Sequence, residues 1–284
     1  MRFSAGTIAL MLALAGCAGP RGGGQPEATT AAAPSISVAG YEGAIQPISS
    51  PVVLAYAPAR FRSTVVIGVE GGRGTAGRSN SLTVHTTGSL TAEGDRLRGE
   101  IVTERIEVDG RPPQNDGPVL IQDLLLDHKG RMIEMASRFP GHAEPSAQLS
   151  GRYKALEERW RDRLPVFVPN VIAAGDPIYE DTGLLSPLRQ MLQDRPFQMR
   201  PIKPVRAVAV GMTACDGGQC LIARHEGEAE LVAERGTLHV TASGFTLVDI
   251  ATGVIRREVG TVTLEQPGGA SRLTMTVRTD TQLF

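Results

Sequence analysis

The sequence predicts an all-β body with one or two helices packed on it, built as a strongly curved antiparallel sheet or as two half-sheets. Two observations carry this expectation. From residue 63 onward, short apolar or alternating runs recur between Gly, Asn and Asp, the texture of strands joined by tight turns. Only one long stretch, residues 150–164, breaks that texture with a full helical stripe. The strand-rich parts, about 60–140 and 205–284, thus flank a helical middle, about 150–195, and no residue-level repeat relates them.

The N-terminus is a separate matter. Arg2 precedes the apolar run Ile8–Leu14, which is too short for a permanent membrane span and suits a cleaved export signal. The run ends in Leu14-Ala15-Gly16-Cys17, which resembles the lipobox of bacterial lipoproteins. That resemblance implies removal of residues 1–16 and acylation of Cys17. It also implies delivery to the outer membrane, facing the periplasm, because Ala18 and not Asp follows the cysteine. Ala13 and Ala15 also suit the cut site of a plain secretory signal, the competing reading. Residues 17–40 are Gly, Pro, Ala and Thr with almost no large apolar side chain, and they read as a disordered tether to a single body over 41–284.

Within the body, Pro47, Pro51 and Pro58 favour extended edge segments at the entry. Thr64–Val69 reads as a buried strand, and Ser81–Thr86 alternates with Leu82 and Val84 on one side. Arg96–Val108 is a longer strand whose apolar phase slips: Leu97 and Ile101 share one parity, Ile106 and Val108 the other. A bulge near Thr103–Arg105 accounts for the slip. Residues 119–126 and 131–139 form a hairpin about Asp127–Gly130, with Ile133 and Met135 on one parity.

In the middle, Tyr153, Leu156, Trp160 and Leu164 line one face of a helix that Pro165 stops. Residues 165–179 are extended, with a turn at Gly175-Asp176, and Ser186-Pro187 opens a short second helix. Strands resume at Val205. Cys215-Asp-Gly-Gly-Gln-Cys220 is a hairpin turn whose two cysteines, in an oxidising compartment, pair as a disulfide worth roughly 2 kcal/mol by loop-closure entropy. Thr237–Thr241, Phe245–Asp249, Val254–Leu264 and Leu273–Leu283 complete the strands.

Function is harder to read. The chain has 29 Lys and Arg against 30 Asp and Glu, a net charge of −1, which gives no sign of a nucleic-acid binder. Gly72–Ser79 approximates a P-loop with Arg78 in place of lysine, but the following Asn80–Thr86 reads as strand, not as the helix that motif needs. His225, Glu226, Glu228 and Glu230 suggest a metal or acid–base cluster; at strand spacing the three carboxylates share a solvated face and the imidazole falls off phase. The remaining histidines (85, 128, 142, 239) fall in turns or on outward positions. No nucleophile elbow or zinc-protease motif occurs, so no catalytic residue, metal ligand or cofactor is assigned.

The expected function is that of a membrane-anchored, non-enzymatic envelope protein that binds a hydrophobic ligand or a protein partner. Its texture resembles β-rich envelope lipoproteins, some of which are half-barrels that hold acyl chains. A concave face lined by Leu97, Ile101, Ile133 and Met135 is the candidate ligand wall. The alternatives are a periplasmic hydrolase, which a buried acid–imidazole cluster in a cleft would favour, and a structural or assembly subunit of the envelope.

Overall fold

The computed structural model describes residues 36–71, 78–111, 120–138, 140, 166–167, 171–179, 197–233, 236–267 and 272–284. These form a mainly β body with ten strands in one antiparallel sheet and two in a small one. Among the described residues there is no helix. The helices expected over 150–164 and from Ser186, with Tyr153, Leu156 and Trp160, lie outside them, as do the lipobox and Cys17.

The small sheet pairs β1 (Val52–Val53) with β7 (Val171–Ile172). The large one contains β2 (Ala59–Gly71), β3 (Arg78–Glu93), β4 (Arg96–Val108), β5 (Leu120–Leu126), β6 (Met132–Arg138), β8 (Phe197–Cys215), β9 (Gly218–Ala233), β10 (Gly236–Asp249), β11 (Ile255–Glu265) and β12 (Arg272–Leu283). Their order is β6-β5-β4-β3-β2-β12-β11-β10-β9-β8. Two antiparallel meanders therefore meet where the last strand pairs with the second, from Leu273↔Gly71 to Leu283↔Phe61. The two strand-rich parts are one sheet, not two half-sheets.

The phase slip in β4 is a bulge. The register shifts where His85 and Thr86 face Arg105 and Thr103, so Glu104 is the extra residue. This puts Leu97, Ile101, Ile106 and Val108 on the same face despite their opposite parity. A second bulge, where Leu125 and Leu126 face Glu134 and Met132, makes Ile133 the extra residue of β6.

One face of the sheet is concave. Its two ends contribute to one buried cluster, with Leu90, Leu97, Leu124 and Leu126 from β3–β5 and Ala207, Ala209, Leu221, Ala223 and Val248 from β8–β10. The ends do not pair with each other. Two inserted segments fill the gap and contribute Leu54, Tyr56, Phe167, Ile172, Ile178 and Tyr179 to that cluster. These straps are tied by backbone bonds at both ends of the sheet. Tyr56 N–H donates to His128 O and Phe167 N–H to Lys129 O on one side, while Ile178 N–H donates to Ala207 O and Ala209 N–H to Asp176 O on the other. They also occupy part of the open edge of β8, which otherwise would present unpaired backbone groups.

The convex face is covered near β8–β10. Val38, Tyr41 and Ile45 pack there against Cys220, Ile222, Phe245 and Leu247. Val38, in the last residues of the expected tether, is thus part of the body. The Cys215–Cys220 disulfide closes the β8–β9 hairpin, with Gly217 at φ 83° in its turn.

Candidate functional site

A belt of polar side chains crosses the concave face. Register places Thr103, Thr86, Ser63 and Thr281 opposite one another across β4, β3, β2 and β12. Thr281 Oγ1 donates to Ser63 Oγ at 3.0 Å. Further round the sheet, Thr279, Glu258 and Thr246 are register partners across β12, β11 and β10, and His225 stands on the same face of β9.

The belt divides the apolar surface into two tiers. On β9, Leu221 and Ala223 belong to the strap-filled cluster, whereas Ala229 and Leu231, beyond His225, belong to a second cluster. On β10, Thr246 separates Val248 from Ala242 and Val240; on β11, Glu258 separates Ile255 from Val262 and Leu264; on β2, Ser63 separates Phe61 from Val65, Ile67 and Val69. The lower tier is closed by the straps. The upper tier, completed by Met275, Val277, Leu273, Leu238, Met199 and Val205, receives no strap residue among the described residues.

His225, Thr246 and Glu258 form the most deeply buried part of the belt. His225 is 1% exposed and Thr246 0%. His225 Nε2 is hydrogen-bonded to Thr246 Oγ1 and lies 3.9 Å from Glu258 Oε1. Burial pushes the Glu258 carboxyl up to about 7, opposed by a hydrogen bond from Thr246 that favours the carboxylate. Burial pushes the His225 imidazole down to about 4, so it is neutral at physiological pH. The other ring nitrogen, His225 Nδ1, is buried and has no hydrogen-bond partner among the described residues.

Tyr179 Oη is orphaned in the same way. The Tyr179 ring stacks on Phe167 at 5.5 Å, and Phe167 packs on Tyr56 at 4.9 Å, so the strap aromatics hold one another in place. Burial, then the nearby Tyr56 and Glu258, raise the Tyr179 phenol well above its ordinary range. It is therefore a neutral O–H near Glu258.

The expected ligand wall is split by this geometry. Leu97 is fully buried in the strap-filled tier, and Ile101 and Met135 pack against that tier. Ile133, the bulged residue, is 41% exposed and does not join them. His225 is off the phase of the three carboxylates, as its spacing predicts, but it is buried on the inner face and not on an outward one; its partners Thr246 and Glu258 lie on other strands, and their spacing along the chain carries no signal. Glu226, Glu228 and Glu230 do share the opposite, outer face, where Glu226 meets Lys203 at 3.1 Å and Glu228 meets His239 at 3.6 Å. Cys215, Cys220 and Asp249 lie together, but both sulfurs are spent in the disulfide, and Asp249 accepts from Thr252 N–H and Oγ1–H to hold the β10–β11 turn. No family model matches this chain, and no curated protein matches it either.

Proposed function

We propose that this is a lipid-anchored envelope protein that binds a hydrophobic ligand on the upper tier of its concave face. The observation that carries this is the asymmetry of the two tiers. Below the belt, the apolar surface is filled by the chain's own aromatic straps; above it no strap residue enters among the described residues, and beside the buried Val240, Val262 and Met275 the residues Val65, Ile67, Val69, Leu238 and Leu273 are only partly buried. A partly buried apolar wall bordered by a few fixed polar groups is the usual composition of a small-molecule site. The ligand is placed here rather than among Leu97, Ile101 and Met135, because the lower tier to which they belong is already packed. Removal of residues 1–16 and acylation of Cys17, as the lipobox implies, would hold the body near an outer-membrane surface that supplies such molecules.

The hydrolase alternative draws on the buried acid–imidazole pair. It fares worse, because Thr246 and His225 are shut off from solvent and a substrate carbonyl has no approach to the hydroxyl in this conformation. The test is binding of an environment-sensitive apolar fluorophore to delipidated protein. One fluorophore per chain should bind, and Ile67→Asp should weaken binding at least tenfold while Ile133→Asp leaves it unchanged. Equal binding by wild type and Ile67→Asp, with both folded, would remove the upper tier as the site and leave a protein-contact role for the exposed surface.

A further inference from the structure

The two sulfurs of the Cys215–Cys220 disulfide stand in unlike surroundings. Cys220 is fully buried on the convex face with Val38, Ile222 and Leu247, whereas Cys215 is only partly buried at the border of that cluster. In thiol–disulfide exchange a thiolate attacks one sulfur and the other leaves as a thiolate. Burial therefore leaves one route. An external thiol reaches Cys215 Sγ, and Cys220 Sγ is the group that must leave.

The surroundings of Cys220 oppose that departure twice. The cluster around it is apolar, so a thiolate released there loses its hydration. It also meets a carboxylate. Asp249 is the register partner of Cys220 across β9 and β10, and one of its carboxylate oxygens and the two sulfurs all lie within 4.8 Å of one another. Asp249 is itself buried, and Thr252 fixes it by donating from N–H and from Oγ1–H to Oδ1, each at 2.9 Å. Its Oδ2 faces Nη1 of the buried Arg256 at 3.6 Å, so a cation already accompanies this carboxylate and the trio is not a metal site. Two like charges this close in a poorly hydrated place repel far more than they would in water. Asp216, exposed in the turn, adds a solvated negative charge near the approach to Cys215.

We propose that Asp249 guards the disulfide against anionic thiols, so that the bond is a lasting closure of the β8–β9 hairpin and not an exchange centre. This concerns the convex face and is independent of the ligand wall. With a monothiol in excess, the first thiolate bonds to Cys215 Sγ as the Sγ–Sγ bond breaks, and Cys220 leaves with the electron pair. A second thiolate attacks the outer sulfur of the mixed disulfide, expels the Cys215 thiolate and departs joined to the first. Two monothiols are thereby oxidised to one disulfide, and each protein thiolate takes a proton from water. The Asp249 carboxylate opposes the first step, both at the approach and at the departure.

The test is the rate at which the oxidised, full-length protein loses its disulfide to cysteamine, which carries an ammonium, and to 3-mercaptopropionate, which carries a carboxylate. Each rate is taken per thiolate and read by alkylation and mass spectrometry. The reference is the same protein unfolded in urea, which keeps the disulfide and releases Asp249 from its side. The ratio of the cysteamine rate to the mercaptopropionate rate should be about three- to tenfold higher in the native protein than in the unfolded one. Asp249→Asn should speed both reactions and bring the native ratio down to the unfolded value or below. A merely loosened turn would speed both thiols alike and leave the ratio where it was. A ratio unmoved by Asp249→Asn would therefore overturn the inference and leave burial of Cys220 as the protection. Should that variant not fold, the wild-type comparison decides alone, and equal ratios in native and unfolded protein would overturn the inference as well.

Discussion

Glu258 and His225 are shifted in opposite directions by the same cause, burial on a face with no countercharge, and the consequence for stability can be signed. Glu258 is raised from 4.5 to about 7, so its contribution is fully present below pH 4.5 and is lost as pH rises through about 7. His225 is lowered from 6.5 to about 4, so its contribution is present above pH 6.5 and is lost as pH falls through about 4. Between roughly pH 4.5 and 6.5 the two slopes oppose and nearly cancel; above pH 6.5 only Glu258 acts. The belt is therefore most stable when both groups are neutral. Glu258→Gln keeps a hydrogen-bonding side chain and removes the titration. Urea unfolding of this variant should match wild type near pH 5 and exceed it at pH 8 by roughly 1–3 kcal/mol, since each tenfold change in proton affinity is worth about 1.4 kcal/mol. A wild-type stability that rises from pH 5 to 6.5 and then stays level would mean that Glu258 is ionised in the fold, because His225 would then act alone.

The straps are the elements on which the concave face depends, since the ends of the sheet do not pair. Phe167 is fully buried between Tyr56 and Tyr179 and lies against the Gly253 turn. There a Cβ would come within 2.6 Å of Ala55 O, and φ is 71°, so only glycine fits. Phe167→Ala should cost about 3–5 kcal/mol in denaturant unfolding. A loss below 1 kcal/mol would mean that the strap is not part of the core. The same element marks where sequence reasoning stops. The β4 bulge is legible because Leu97, Ile101, Ile106 and Val108 break parity within one strand, and the Cys215–Cys220 hairpin because its signal is local. The union of β2 with β12, the straps' filling role, and the His225–Thr246–Glu258 contact all join residues far apart in the chain. A strand with alternate Thr and Val positions reads the same whether its Thr residues face water or a buried belt. His225 carries no local mark of burial either, since the partners that satisfy it come from β10 and β11.

At the scale of the whole molecule, the faces of the sheet have different duties. The first described residues, 36–46, lie on the convex face, where Tyr41 packs edge-on against Phe245 at 5.3 Å and its hydroxyl bonds Thr213 at 2.6 Å. A chain that enters on that face leaves the belt and the upper tier on the other side, free of its own attachment. Fully extended, residues 17–36 reach at most roughly 70 Å, so the proposed anchor at Cys17 would keep the body within about that distance of the bilayer without fixing its orientation. Anchoring and binding should then separate cleanly. Cys17→Ala should abolish incorporation of labelled palmitate and leave the protein unprocessed or in the soluble fraction. Purified, it should bind the apolar fluorophore with unchanged affinity, because nothing on the concave face is touched. Palmitate retained by Cys17→Ala would place the lipid elsewhere. Lost fluorophore binding in a folded Cys17→Ala protein would mean that the acyl chains themselves help to form the site, and that the tether turns the concave face toward its own anchor.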